Sequence, residues 1–130
     1  MEKKEFQAKM MFYIMCKSLE EIAKVDEDFQ DEIEEFNAKI QWNIVNFKGY
    51  LVFDNGKYSF VMDDEIEDPD VIFTINDVDT ALEMFRGEID GPSAYMSGDL
   101  QIEGNLQDAM MYGSLSDFIA EYLKPIRQTE

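Results

Sequence analysis

The only reactive groups present in number are 29 Asp and Glu residues, set against 11 Lys and Arg and no His. Without an imidazole, the usual general base, the usual nitrogen ligand for metals and the neutral-pH switch are all missing. A Ser-His-Asp arrangement is impossible. The single thiol, Cys16, has helical pattern on both sides and no His to activate it, so it reads as buried and inert. One Cys cannot form an internal disulfide, and nothing points to an oxidising compartment. Carboxylate pairs are so frequent that no pair stands out from the solvated rest. Asp99, Gln101, Glu103 and Gly104 do fall where the first half of an EF-hand loop places its ligands and its Gly. The closing Glu is replaced by Met110, and Leu100 and Ile102 alternate as in a strand, so the match is read as coincidence. Lys57 follows Gly56 in a hairpin rather than at a helix start, which makes no phosphate-binding loop. No catalytic group, metal site or cofactor is expected.

The charge narrows the partners. A net charge of −18 repels nucleic-acid phosphates and anionic lipid headgroups, which argues against nucleic-acid binding. The early apolar run from Met10 to Cys16 is far short of the ~20 residues a membrane-spanning helix needs, so stable membrane insertion is not expected. Lys17 and further charge follow it with no cleavage pattern, and Arg127-Gln128-Thr129-Glu130 is no peroxisomal, retention or prenylation signal. A cytoplasmic location is the expectation. The 130 residues fit one domain, and 45% apolar content is enough for a packed core. What remains unusual is soft bulk: nine Met, ten Phe, six Tyr and one Trp, side chains that reshape around variable apolar guests.

Hydrophobic period supplies the elements that would hold such a site. Phe6, Met10, Tyr13 and Ile14 lie at helical spacings, and no Gly or Pro precedes Gly49. Helices are expected over 3–24, buried on most sides from Met10 to Cys16, and over 27–38, with Asp26 as a cap between them. The period then switches to two at Ile40, Trp42 and Ile44, with Gln41 and Asn43 outward. A turn at 47–49, a strand at 50–53, the hairpin turn Asp54-Asn55-Gly56 and a strand through Tyr58, Phe60 and Met62 follow. An acidic loop over 63–70 leads to a strand at 71–75, and a helix capped at Asn76 or Asp77 ends at Gly87. A short segment at 91–96, a strand at 100–102, a helix after Asn105 and a last helix from Ser116 to a stop at Pro125 complete an α+β order.

Residues 69–105 carry a more specific pattern. Pro69-Asp70-Val71-Ile72-Phe73-Thr74-Ile75 precedes an amphipathic helix, then Gly87-Glu88-Ile89, Ala94-Tyr95-Met96, Gly98-Asp99-Leu100, Ile102-Glu103-Gly104-Asn105 and Ala109-Met110. This resembles the signature half of the sterol carrier protein type 2 family. Trp42 and the Asn55-Gly56-Lys57 hairpin fit its early strands, so the resemblance covers about residues 38–123. It implies a five-stranded, mostly antiparallel sheet covered on one side by helices. An apolar tunnel between them would take sterols, acyl chains or phospholipids. The acidic chain departs from the basic, peroxisome-targeted relatives, which makes an uncharged lipid, isoprenoid or quinone-like guest a better fit than acyl-CoA.

Non-enzymatic carriage of a lipid-like molecule is therefore the leading expectation. Helix faces and strand alternation give the contacts, and the resemblance puts them around one slot. The first helix offers Phe12, Met15 and Leu19; the helix after the fourth strand offers Leu82 and Phe85. Tyr95 and Met96 come from the short segment, Met110 and Phe118 from the closing helices, and Trp42 from the sheet. The alternative is an interaction module, either a homodimer or an accessory factor positioning apolar substrates for a partner enzyme. Strands 50–53 and 71–75 are apolar on both faces, Leu51 and Phe53 opposite Tyr50 and Val52, and Ile72 opposite Phe73, so a sheet face without helices over it would be adhesive.

Overall fold

The computed structural model describes residues 1–127. Helix α1 spans Lys3–Val25 and α2 spans Glu27–Glu34. Strands β1 (Ala38–Ile44), β2 (Phe47–Asp54), β3 (Lys57–Met62) and β4 (Val71–Ile75) follow. Helices α3 (Val78–Phe85) and α4 (Gly91–Ser97), strand β5 (Leu100–Gly104) and helix α5 (Leu106–Arg127) complete the chain. The sheet order is β3-β2-β1-β4-β5, antiparallel throughout except for the parallel pair β1–β4. This is the expected α+β fold, with five strands and helices packed on one face.

Several boundaries differ from the sequence reading for local physical reasons. Only one face of α1 is buried, at Ala8, Phe12, Cys16, Leu19 and Ile22, while Met10, Tyr13 and Ile14 are exposed within the run expected to be covered. Helix α2 stops at Glu34 because Asn37 turns the chain, its side chain accepting from the Asn55 amide at 2.8 Å. The turn between β1 and β2 is Val45-Asn46, and the stretch 47–49 belongs to β2. The two closing helices are one. Ser114 and Ser116 bond back to the carbonyls of Met110 and Gly113, so neither hydroxyl breaks the helix, and Pro125 sits inside its exposed last turns. The buried stripe of α5 is Ala109, Tyr112, Leu115 and Ile119, leaving Leu106 and Met110 outside.

The signature stretch is largely structural. Asp70 joins three strands: its carboxylate accepts from the Lys39 amide, its amide donates to the Lys39 carbonyl, and its carbonyl accepts from the Asn105 amide, each at 2.8–2.9 Å. Gly104 follows from the same contact, since a Cβ there would lie 2.2 Å from the Asp70 carbonyl oxygen. Its φ of +103° also disfavours any other residue.

The sheet face away from the helices is partly covered by the chain's own acidic loop. Gln41 is 3% exposed rather than outward to water. Its Oε1 accepts from the Ile66 amide at 3.0 Å, and its Nε2 donates to the Trp42 carbonyl and to Asn43 Oδ1. Tyr50, Val52 and Ile72 flank it, half-buried.

On the helix side the decisive fit is Gly49, in the middle of β2. A Cβ there would lie 2.8 Å from Phe12 Cε2 and 2.9 Å from the Val61 carbonyl oxygen. The missing side chain is what lets α1 approach the sheet. Gly49→Ala is expected to cost about 1–3 kcal/mol by overpacking. Thermal unfolding should show a Tm several degrees lower, with near-ultraviolet dichroism altered because the Phe12 ring must shift.

Candidate functional site

A layer of aromatic rings lies between helices and sheet. Its floor is Trp42 of β1 stacked on Phe73 of β4 at a centroid distance of 4.6 Å, with Phe53 of β2 alongside. Strand alternation puts all three on the helix side. The roof comes from three helices. Phe12 of α1 and Tyr112 of α5 lie edge-on to Trp42 at 6.0 Å and 6.2 Å, and Phe85 of α3 lies tilted against it at 6.1 Å. Phe12 also meets Phe85 and Phe47 at about 6 Å, so the rings form one connected set.

Half-buried, rotatable side chains pack against the same hydrophobic core: Met15, Met84, Met111 and Phe118, with Phe85 of the layer itself half-buried. Between helices and sheet the rings are packed closely, with Phe12 fully buried and Trp42, Phe73 and Tyr112 nearly so. The leading surface concavities lie elsewhere. One, of about 360 Å³, is bordered by Asp31, Glu32, Glu35, Phe36 and Met111. The other, of about 260 Å³, lies at the β1–β2 turn. Both open to the surface, the first between three carboxylates and the apolar Phe36 and Met111, the second beside Asn43, Asn46 and Lys48.

Of the residues expected at a site, the structure brings together Phe12, Trp42 and Phe85 in direct ring contact. Met15 joins them through Tyr112, whose hydroxyl points at its sulfur at 3.6 Å. Leu19 and Leu82 are buried in the same core. Phe118 packs on Phe29 of α2 at 5.2 Å, toward the other end of α5. Tyr95, Met96 and Met110 are 44%, 86% and 74% exposed and stand outside the layer. Phe53, Phe73 and Tyr112 belong to it without having been singled out. The alternation around Val71 and Ile75 marks Phe73, and the i, i+3 step from Ala109 marks Tyr112.

The electrostatics of the layer are uniform. Among the described residues, the buried polar side chains are Gln41, on the opposite sheet face, and Thr80, bonded to its cap Asp77. Burial pushes the Cys16 thiol and the Tyr58 and Tyr112 phenols well above their ordinary values, so all three stay neutral. The Tyr58 hydroxyl donates to the Cys16 carbonyl at 2.9 Å. One polar atom is left over: the Trp42 indole Nε1 is buried and has no hydrogen-bond partner. The Tyr112 hydroxyl lies beside it but accepts no bond of normal geometry from it. A buried donor left unpaired costs about 1–3 kcal/mol. Among the described residues no group of three or more acidic or thiol side chains gathers as a metal site would require. No helix among them is long and apolar enough to cross a membrane.

Residues 19–117 match the SCP-2 sterol transfer family. No curated protein matches the chain in sequence. Among solved structures, the apo form of sterol carrier protein 2 from Yarrowia lipolytica superposes with a TM-score of 0.66 at 19% identity, over 85% of this chain and 90% of that one. The UbiJ-SCP2 ubiquinone synthesis protein superposes at 0.60 and 16% identity, over 94% and 97%. The sec-alkylsulfatase Pisa1 from Pseudomonas sp. matches 66% of this chain at 0.56 and 16% identity. This chain spans only 14% of that enzyme's length. At these identities the likeness is one of fold.

The helical roof is anchored at its far end by Tyr122 of α5, whose hydroxyl donates to Asp26 Oδ2 at 2.6 Å. That bond, with the Phe29 amide second, holds the Asp26 carboxyl below its ordinary value. A depressed carboxyl contributes stability above its unfolded pKa and loses it as pH falls through the folded one. Tyr122→Phe should therefore be less stable than the parent above about pH 4, the ordinary range of a carboxylate, with the difference shrinking as the pH falls below it through the depressed value of Asp26. Denaturant titrations of both proteins across that range measure it.

Proposed function

The chain belongs to the SCP-2 sterol transfer family, and from that premise we propose that it binds and carries a lipid-like apolar molecule between its helical roof and its sheet, without catalysing a reaction. The observation that supports this most is the make-up of the layer. Phe12, Trp42, Phe85 and Tyr112 meet through ring faces and edges, and Met15 and Met84 pack against the same core. Rings on flexible χ angles and unbranched Met side chains can rotate aside with little change of backbone, which branched aliphatic packing does not permit. An acyl or isoprenoid chain entering there exchanges ring–ring contacts for ring–chain contacts of similar dispersion energy. Each methylene it removes from water contributes about 0.8 kcal/mol, so a dozen give a gross ~10 kcal/mol before association costs.

The entry point we assign is Phe85. It is half-buried at the C-terminal end of α3, while Phe12 behind it is fully covered. Rotating the Phe85 ring outward would uncover Phe12 and Trp42, each 6.1 Å from it between ring centres. The reacting groups an enzyme would need are not visible beside this layer, since its thiol and phenols are held neutral by burial.

A second reading keeps the same slot and adds a partner. The UbiJ-SCP2 neighbour, similar to this chain over nearly the full length of both, is described as a ubiquinone synthesis protein. The half-buried Tyr50, Val52 and Ile72 offer a contact surface on the far side of the sheet from the slot. In this reading the chain presents an apolar substrate to an enzyme docked on that face.

Native mass spectrometry of the protein as purified tests both readings. Carriage predicts a monomer bearing one lipid-sized adduct that solvent extraction removes. A bare chain that also takes up no fluorescent fatty-acyl probe would contradict it. A dimer that forms only without the adduct would favour the interaction surface.

A further inference from the structure

The Trp42 N–H is a buried donor without a partner of normal geometry, in a layer whose other polar group is the Tyr112 hydroxyl. Trp42 is 4% exposed, and its Nε1 has no partner. The neighbouring Tyr112 hydroxyl has only the Met15 sulfur, a weak acceptor, at 3.6 Å. The Trp42 N–H thus faces only the Tyr112 oxygen, outside normal hydrogen-bond geometry, and the Tyr112 hydrogen is directed at a thioether sulfur, so neither donor has a strong acceptor. No charged side chain is buried among the described residues, and the rings against Trp42 are Phe12, Phe73, Phe85 and Tyr112. A carboxylate or phosphate brought here would be desolvated with no countercharge, inside a protein of net charge −18. A neutral oxygen has no such penalty and satisfies what is missing.

On the carrier reading given above, we infer that the Trp42 indole N–H and the Tyr112 hydroxyl are the polar end of the binding slot. Its ligand is an uncharged lipid bearing a carbonyl or hydroxyl oxygen. The oxygen accepts from Trp42 Nε1, and the Tyr112 hydroxyl turns from the Met15 sulfur to donate to it as well. The apolar remainder lies along the space opened by Phe85. Sterols, isoprenoid alcohols and quinone-type carbonyls fit this chemistry. Fatty-acid anions and phosphorylated lipids do not.

Dodecanol, dodecane and dodecanoate share a chain and differ in the head. Because Trp42 is the sole Trp, its emission and its single indole resonance in a ¹H–¹⁵N spectrum report on this position without ambiguity. At neutral pH, dodecanol should bind roughly tenfold tighter than dodecane, the worth of one recovered hydrogen bond, and tighter than dodecanoate. Dodecanol should move the indole N–H resonance downfield, and dodecane should not. In Trp42→Phe, dodecanol should fall to the level of dodecane measured on that same variant. If that variant does not fold, Tyr112→Phe should weaken dodecanol selectively, and the comparison on the parent protein stands by itself.

Equal affinity for dodecanol and dodecane would overturn the polar end while leaving carriage intact. Preferred binding of dodecanoate would overturn the assignment of an uncharged ligand. No binding of any of the three would mean that the carrier reading fails, and this inference with it.

Discussion

Everything on the helical side depends on the close approach of Phe12 to Gly49. Without a Cβ at Gly49, the Phe12 ring rests directly on the backbone of β2 and reaches Trp42, Phe47 and Phe85 at once. This seats α1, and α1 in turn sets how near α3 and α5 can come. Few strong polar ties hold the roof in place. The Lys4–Asp79 ion pair between α1 and α3 is exposed, and such pairs contribute little. Tyr58 to the Cys16 carbonyl and Tyr122 to Asp26 are the firmer ones, and neither crosses the ring layer. The sheet is different: its ladders and the Asp70 junction make it a fixed floor. A rigid sheet under a roof held by ring contacts can admit a guest without losing the fold.

How much of this was legible in the sequence depended on whether the signal was local. The period of two at Ile40, Trp42 and Ile44, and the Asn55-Gly56 hairpin, carry their own geometry, so the strands fell where expected. The stretch from Asp70 to Asn105 was distinctive enough to indicate the family, although much of it serves the strand junction at Asp70 and Gly104 rather than a ligand. Gly49 was read as a turn residue because a Gly beside Lys looks like one. Its actual use, space for a ring from another element, is not written locally. Gln41 looked outward by alternation and is instead buried under the acidic loop, a contact between residues far apart in sequence. The break placed before Ser116 followed the preference of Ser for helix N-caps, which the packed stripe of Tyr112, Leu115 and Ile119 overrides.

The same division explains the site residues. Phe12, Trp42 and Phe85 were legible because they are large, apolar and on a patterned face. Tyr95, Met96 and Met110 satisfy those criteria equally well and yet stand in solvent. Pattern specifies which residues share a face of an element; which face meets the core is settled by how elements pack. Part of the surplus of Phe and Met goes into the ring layer and the core around it, while Met1, Met10, Met96, Met110 and Phe6 are exposed. The acidic surface and the uncharged interior act together, since both disfavour an anionic guest.

The central claim is that a guest chain takes the place now held by the rings of this layer. Intermolecular nuclear Overhauser effects between a bound long-chain alcohol and the aromatic protons of the protein test it most directly. Cross-peaks from the chain methylenes to Trp42, Phe12, Phe85 and Tyr112 are the predicted result. Cross-peaks confined to Tyr50, Val52 and Ile72 on the opposite face of the sheet would contradict the account.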